Sequence, residues 1–316
     1  MLLSRLAESA FWLGRYLERA EDLSRALLAY ELIRLDIPGE KAPGWQRLAA
    51  LAGIERETAT RLEPSALIAL VILDRQNPSS LLGAVHAARE NLRRARSLLP
   101  SECWHTLNPI YLRLEALGAA VPPADLRAIL LQIMASSHQL TGQVAACMVR
   151  DEGHAFLRIG VHLERADMML RVATIVAETL IPAHHSFRFE DVRWMGFLKS
   201  VGAYQTYRRR YHASSDFGSA LELLLVEPTF PRSLAHGLLQ VGRDLDGLPR
   251  NAGPLVALRD CWPPQAVNTR NALDRFAEGA IERLAHLGSV LGATYFSPAD
   301  SFPGEVPALH ARQRPE

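Results

Sequence analysis

Apolar residues recur at spacings of three and four over almost the whole chain. Leu6, Ala10, Leu13, Leu17, Ala20 and Leu27 form one such stripe near the start. The spacing puts them on one face of a helix of 3.6 residues per turn, so it predicts amphipathic helices. The alternation that marks strands is absent. Breakers divide the helices at Pro38-Gly39, Pro43-Gly44, Asn77-Pro78, Leu99-Pro100-Ser101 and Val121-Pro122-Pro123. Further breaks fall at Pro182, Glu227-Pro228, Pro249 and Trp262-Pro263-Pro264. At Asn77-Pro78 the asparagine reads as an N-cap and the proline as the first helical residue. Pro298, Pro303, Pro307 and Pro315 predict an irregular tail over 297–316. The expected fold is all-α, a single large bundle of roughly ten helices.

The same pattern is written twice. Residues 14–25 read Gly14-x-x-Leu17-Glu18-Arg19-Ala20-Glu21-x-x-x-Arg25. Residues 160–171 read Gly160-x-x-Leu163-Glu164-Arg165-Ala166-Asp167-x-x-x-Arg171, an offset of 146 (160 − 14). Trp45-x-x-Leu48 with Gly53 returns as Trp194-x-x-Phe197 with Gly202, at 149 (194 − 45). Pro78-x-Ser80-Leu81 returns as Pro231-x-Ser233-Leu234, at 153 (231 − 78). Matches in one order at slowly growing offsets imply an internal repeat. The halves would be 1–150 and 151–296, packed about a pseudo-twofold axis in one bundle. Two separate domains are the alternative.

On a helix, Gly14, Glu18, Glu21 and Arg25 share a face, and Gly160, Glu164, Asp167 and Arg171 do the same. Arg19 falls beside Trp12 and Tyr16, and Arg165 beside His162 and Met169. An arginine among apolar neighbours needs a carboxylate, because an unpaired buried charge costs several kcal/mol. Adjacent residues point about 100° apart, so Glu18 and Arg19 do not pair with each other. Two cross-pairs are expected instead, Glu18 with Arg165 and Glu164 with Arg19. A glycine inside a helix costs about 1 kcal/mol, which close packing or room for a ligand would offset. Three roles stay open for Glu18, Arg19, Glu21, Glu164, Arg165 and Asp167: a buried network docking the halves, a ligand or partner site, or catalysis.

Composition narrows the function classes. The chain has 316 residues, 48% apolar and 22% charged, which is globular and excludes disorder. A net charge of +1 gives no field toward nucleic acid or anionic lipid, so neither is an expected partner. Cys103, Cys147 and Cys261 lack disulfide-scaffold or zinc spacing and fit a reduced cytoplasm. Arg5, Glu8, Arg15, Glu18 and Arg19 interrupt any signal-peptide core, and the apolar run Leu67–Leu73 falls far short of the about 20 residues of a membrane span. All basic residues except Lys41 and Lys199 are arginines, which grip carboxylates and phosphates in two-pronged fashion. Codon usage in a GC-rich genome is the plainer explanation of that bias.

Other constellations are weaker. Arg89, Glu90, Asn91 and Arg93 read either as a solvated helix face or as an anion-gripping stripe. Glu102-x-x-His105 has metal-pair spacing, but a second such motif is missing. The nearest is Asp151-x-x-His154, where Asp151 reads as a cap, so no metal is expected. Tyr204, Tyr207, Arg208, Arg209, Arg210 and Tyr211 mix aromatics with guanidiniums, as in a phosphate-and-base grip or a helix end with snorkelling arginines. No phosphate loop, dinucleotide fingerprint, nucleophile elbow or H-E-x-x-H motif occurs, so no cofactor is expected.

The stretch Phe11-Trp12-Leu13-Gly14-Arg15-Tyr16-Leu17-Glu18-Arg19-Ala20-Glu21 resembles the opening of the bacterial alpha-E family. Asn77-Pro78-Ser79-Ser80, Ala88-Arg89-Glu90-Asn91, Glu102-x-Trp104 with Asn108, and Glu152-Gly153 follow its order. Phe156 with Leu163 to Asp167, Tyr204 to Tyr211, and Pro231-Arg232-Ser233 complete it. His154 stands where that family often carries an aromatic such as Trp. The resemblance implies an association with a circularly permuted ATP-grasp ligase, a transglutaminase-like peptidase and sometimes a proteasome-like peptidase. The theme is amide bonds made or removed around small peptides. The expected function is an accessory helical partner of the ligase, binding it, its peptide or its acyl-phosphate product, with Arg89, Arg93 and Arg232 as anion contacts. The competing expectation is an acyl or aminoacyl transferase. Glu18 or Glu164, raised in pKa by burial, would be its base, and Arg19, Arg165 or Arg89 would steady an oxyanion. A third, a metal-dependent oxidase, rests on Glu102 and His105 alone.

Overall fold

The computed structural model describes residues 2–36, 46, 48–180, 190–211, 217–263 and 269–297. Every regular element among them is helical. The N-terminal part holds α1 (Ser4–Asp36), α2 (Arg56–Arg61), α3 (Pro64–Leu73), α4 (Leu81–Arg94), α5 (Ser101–Glu115) and α6 (Pro123–Cys147). The C-terminal part holds α7 (Glu152–Leu180), α8 (Glu190–Ser200), α9 (Tyr204–Tyr211), α10 (Phe217–Leu221), α11 (Leu234–Asp246), α12 (Ala252–Arg259) and α13 (Arg270–Leu291). These thirteen exceed the expected ten because helices of one or two turns, such as α2 and α10, carry too few positions to display a period. A 3₁₀ turn at Ala49–Ala52 and π turns at Glu222–Val226 and Gly292–Phe296 complete the described elements. No helix among the described residues is long and apolar enough to cross a membrane.

The two longest helices, α1 and α7, lie side by side at the centre. Their contact is made backbone to backbone. A Cβ on Gly14 would collide with the Leu157 carbonyl oxygen, and one on Gly160 with that of Phe11. The helix propensity given up at each glycine is therefore exchanged for close approach. From the sequence stripe, Ala10, Leu13, Ala20 and Leu27 are buried, while Leu6 and Leu17 are half-buried. Around this pair, α4, α6 and α8 pack on α1, and α11 and α13 pack on α7.

The turns before α4 and α11 use one device. The Ser80 hydroxyl accepts the Gly83 N–H at 3.0 Å and donates to the Asp74 carbonyl. The Ser233 hydroxyl accepts the His236 N–H at 3.0 Å and donates to the Glu227 carbonyl at 2.5 Å. Ser80, not Asn77, is thus the N-cap of α4. Asn77 instead braces the turn, accepting the Ser79 N–H at 2.9 Å and donating to the Ala52 carbonyl at 2.8 Å. A hydroxyl three residues before the first free N–H outcompetes an amide placed one turn too early. Gly53 and Gly202 both adopt left-handed backbone, with φ of 71° and 68°. Trp194 and Phe197 of α8 are buried. The breaks at Pro38 to Gly44, Trp45, Pro182, Pro264 and the tail from Pro298 lie outside the described residues.

Candidate functional site: a buried carboxylate–guanidinium network

At the α1–α7 crossing the two Glu-Arg units face each other, and both cross-pairs form. Arg165 donates to Glu18 through Nε at 2.6 Å and Nη2 at 2.7 Å. Arg19 donates to Glu164 through Nε at 2.5 Å and Nη2 at 3.1 Å. Each arginine also reaches a turn that launches another helix. Arg19 Nη1 lies 3.3 Å from the Pro78 carbonyl oxygen, and Arg165 Nη1 lies 3.3 Å from that of Pro231. The network therefore ties together the two long helices and the turns that launch α4 and α11.

Around this matched centre the supporting groups differ. Glu164 also accepts from Arg15, whose counterpart by the repeat offset is Val161. Glu18 also accepts from Arg232 at 3.1 Å, and the counterpart of Arg232 is Ser79. Arg232 donates in addition to Glu21, at 3.2 Å, and to Asp22. Glu21 is held further by Arg25 at 2.7 Å, the Ser137 hydroxyl at 2.9 Å and the His138 ring at 3.1 Å. Asp167 accepts from Arg171 at 2.8 and 3.2 Å. Arg15, Asp22, Ser137 and His138 are not marked by the repeat, because none is a position at which the two copies match. Arg15 left one signal, its position one helical turn before Arg19.

The acids are inside and the guanidinium edges reach outward. Glu164 is 0% exposed and Glu18 3%, whereas Arg15, Arg19, Arg165 and Arg232 are 13–17% exposed. Burial pushes the Glu164 carboxyl up, but Arg15 and Arg19 outweigh it and hold it down at about 2. Burial is likewise overcome at Glu21, which Arg232, Arg25 and His138 hold at about 2. The raised glutamate expected for a catalytic base is therefore not Glu164. The carboxyl that rises is Asp22, lifted to about 7 by burial and by neighbouring Glu18 and Glu21 against the pull of Arg232.

The remaining sequence candidates lie elsewhere. Arg89 is sandwiched between Trp104 and Tyr111, its guanidinium carbon 4.8 and 4.7 Å from their ring centres. It donates to Asn108 at 2.7 Å and to Glu90 at 2.8 Å, and Arg93 donates to Glu90 at 3.0 Å. The side chain of Asn91 donates to the Ala87 carbonyl. This group clamps α4 to α5 and leaves Arg93 as its exposed member. Glu102 and His105 are exposed, and no group of three or more His, Cys, Asp or Glu among the described residues is placed to hold a metal ion. On α9, Tyr207 is buried and Tyr204 half-buried, while Arg208, Arg209 and Arg210 are exposed. Arg208 lies over the Tyr204 ring and Arg210 pairs with Glu227, the arrangement of a helix end with snorkelling arginines.

Relatives carry a similar segment within longer polypeptides. Uncharacterized proteins of Mycobacterium bovis and of two strains of Mycobacterium tuberculosis are 26% identical over 274 residues. That match covers 79% of this chain and 30% of each relative. No solved structure matches the chain at a significant level. The Alpha-E family, described as a predicted alpha-helical domain with a conserved ER motif, matches residues 2–296. The chain is all-helical among its described residues and carries adjacent Glu-Arg residues at Glu18-Arg19 and Glu164-Arg165, and with nearly the whole length matched, this chain belongs to the Alpha-E family.

Proposed function

We propose that this chain is a binding module, the non-catalytic helical partner of a circularly permuted ATP-grasp amide ligase. It would engage the ligase, its peptide or its acyl-phosphate product. The observation that carries this reading is the state of the central carboxylates: every one is held by at least one arginine. Glu164 and Glu21, near 2, are poor proton acceptors at neutral pH. A saturated network of this kind gives register more than chemistry, since a buried ion pair adds little stability over apolar packing. The mycobacterial relatives are consistent with a module, because the matched segment is a minor part of their length. We also read the matched turns, glycines and cross-pairs as the trace of a duplicated half-bundle, 1–150 and 151–296, in a cytoplasmic protein.

The test is co-expression with the ATP-grasp ligase of the same cell. The ligase is expected to co-purify with this chain and to release phosphate faster in its presence. A ligase that is fully active alone and never binds this chain removes the proposal. The transferase alternative keeps one foothold, the Asp22 carboxyl near neutrality. It requires turnover by this chain without the ligase, abolished in Asp22→Asn.

A further inference from the structure

A groove of about 750 Å³ opens where the N-terminal end of α7 meets the C-terminal ends of α6 and α11. Its size falls in the range of small-ligand sites. His154 on its wall is ten residues before Glu164, about 15 Å along the helix axis, so the groove is separate from the central network.

The charges that line it are unequally satisfied. Its three acids are engaged within the protein. Asp244 accepts Arg158 Nε at 3.0 and 3.1 Å, Asp151 accepts the His154 backbone N–H at 3.2 Å, and Glu152 accepts the Leu2 N–H at 2.5 Å. Two of its arginines have no carboxylate partner among the described residues. Arg150 donates to the Ala145 carbonyl at 2.6 Å and to Nε2 of His154. Arg243 stands exposed in the last turn of α11. A guanidinium only donates, so Nε2 of His154 is an acceptor and the ring is neutral. Burial, then Arg150 and Arg158, push His154 down to about 4 against the opposite pull of Asp151. The ring therefore sits beside the Arg150 guanidinium in its neutral form, where a nearby change of charge alters its protonation.

We propose that this groove is an anion site, with Arg150 and Arg243 gripping a phosphate or carboxylate group on a small ligand. The site does not depend on any ligase partner. An anion seated on Arg150 would favour the protonated form of the adjoining His154 ring, which makes that ring the reporter.

The experiment follows the His154 ring by NMR titration in the full chain. The additions are inorganic phosphate, the dipeptide glutamyl-glutamate, and sodium chloride at matched ionic strength. Phosphate or the dipeptide is expected to raise the His154 pKa by about one unit, and chloride is not. Whichever probe acts at lower concentration identifies the ligand's anionic group. Arg243→Gln, at an exposed position, is expected to weaken binding about tenfold, the loss of one charge-assisted contact. Arg150→Gln should also raise the starting pKa of His154. No shift with either probe, or the same shift with chloride, overturns the site. Unchanged binding in a folded Arg243→Gln variant overturns the assigned grip.

Discussion

Glu164 shows how a buried charge is made tolerable and what that arrangement demands. Two guanidiniums share one carboxylate with no exposure to water. Removing the carboxylate strands both, so Glu164→Ala is expected to cost about 3–5 kcal/mol in urea unfolding. Replacing the exposed Glu57, paired with Arg61 on one helix face, should cost under about 0.5 kcal/mol. A second residue-scale consequence concerns pH. Glu21 and Glu164 have native pKa values depressed from 4.5 to about 2. Their contribution is present above pH 4.5 and is lost as pH falls through that window. Asp22 is shifted oppositely, from 3.8 to about 7, so the native state keeps a proton that the unfolded chain has released. Stability from Asp22 therefore declines as pH rises from 3.8 to 7. Urea midpoints are expected to fall between pH 5 and 7.5 in the natural chain and to stay level in Asp22→Asn. Parallel declines would remove this assignment.

At the scale of elements, contacts between helices rest on a few positions where side-chain size or charge has been chosen for the neighbour. Gly14→Ala and Gly160→Ala place a methyl against facing backbone, which cannot rotate away, so the two long helices must separate. Each is expected to lose about 1–3 kcal/mol or more. Gly142 lies on α6 with nothing within 4 Å of its would-be Cβ. Gly142→Ala should therefore gain about 1 kcal/mol from helix propensity alone. Opposite signs for the same substitution in thermal melts would tie the first loss to close approach. The α4–α5 contact depends likewise on Arg89, stacked between two rings and hydrogen-bonded to Asn108. Arg89→Lys keeps the charge but not the planar fork, and about 1–2 kcal/mol should be lost.

For the whole molecule, the decisive feature is that α1 and α7 form one interface carrying reciprocal ion pairs. Cutting the chain near residue 150 would leave Glu18, Glu21 and Asp22 without Arg165 and Arg232, and the Gly14 face bare. The fragment 1–150 is accordingly expected to show weak helicity by circular dichroism at a concentration where the full chain is folded. The full chain should unfold in one transition, coincident by tryptophan fluorescence and circular dichroism. An independently folded, cooperative 1–150 fragment would restore the picture of separate domains.

Much of this was legible along the chain, for reasons that can be named. Helix class follows from apolar spacing, a local property, and it held for the long helices while one- and two-turn segments were too short to register. The matching of Glu18 to Arg165 and Glu164 to Arg19 was also readable, because neighbouring acid and base on one helix diverge in direction and must look outward for partners. Arg15, Asp22, Ser137 and His138 were not readable. Ser137 meets Glu21 across a separation of 116 residues, and nothing local marks the encounter. The signs of the carboxyl shifts were beyond reach for the same reason. Burial raises each acid and surrounding arginines lower it, and both quantities exist only once the chain is packed. Local spacing thus set which residues would be helical and which charges needed partners, and packing in three dimensions settled how many arginines each acid received, and with that its charge.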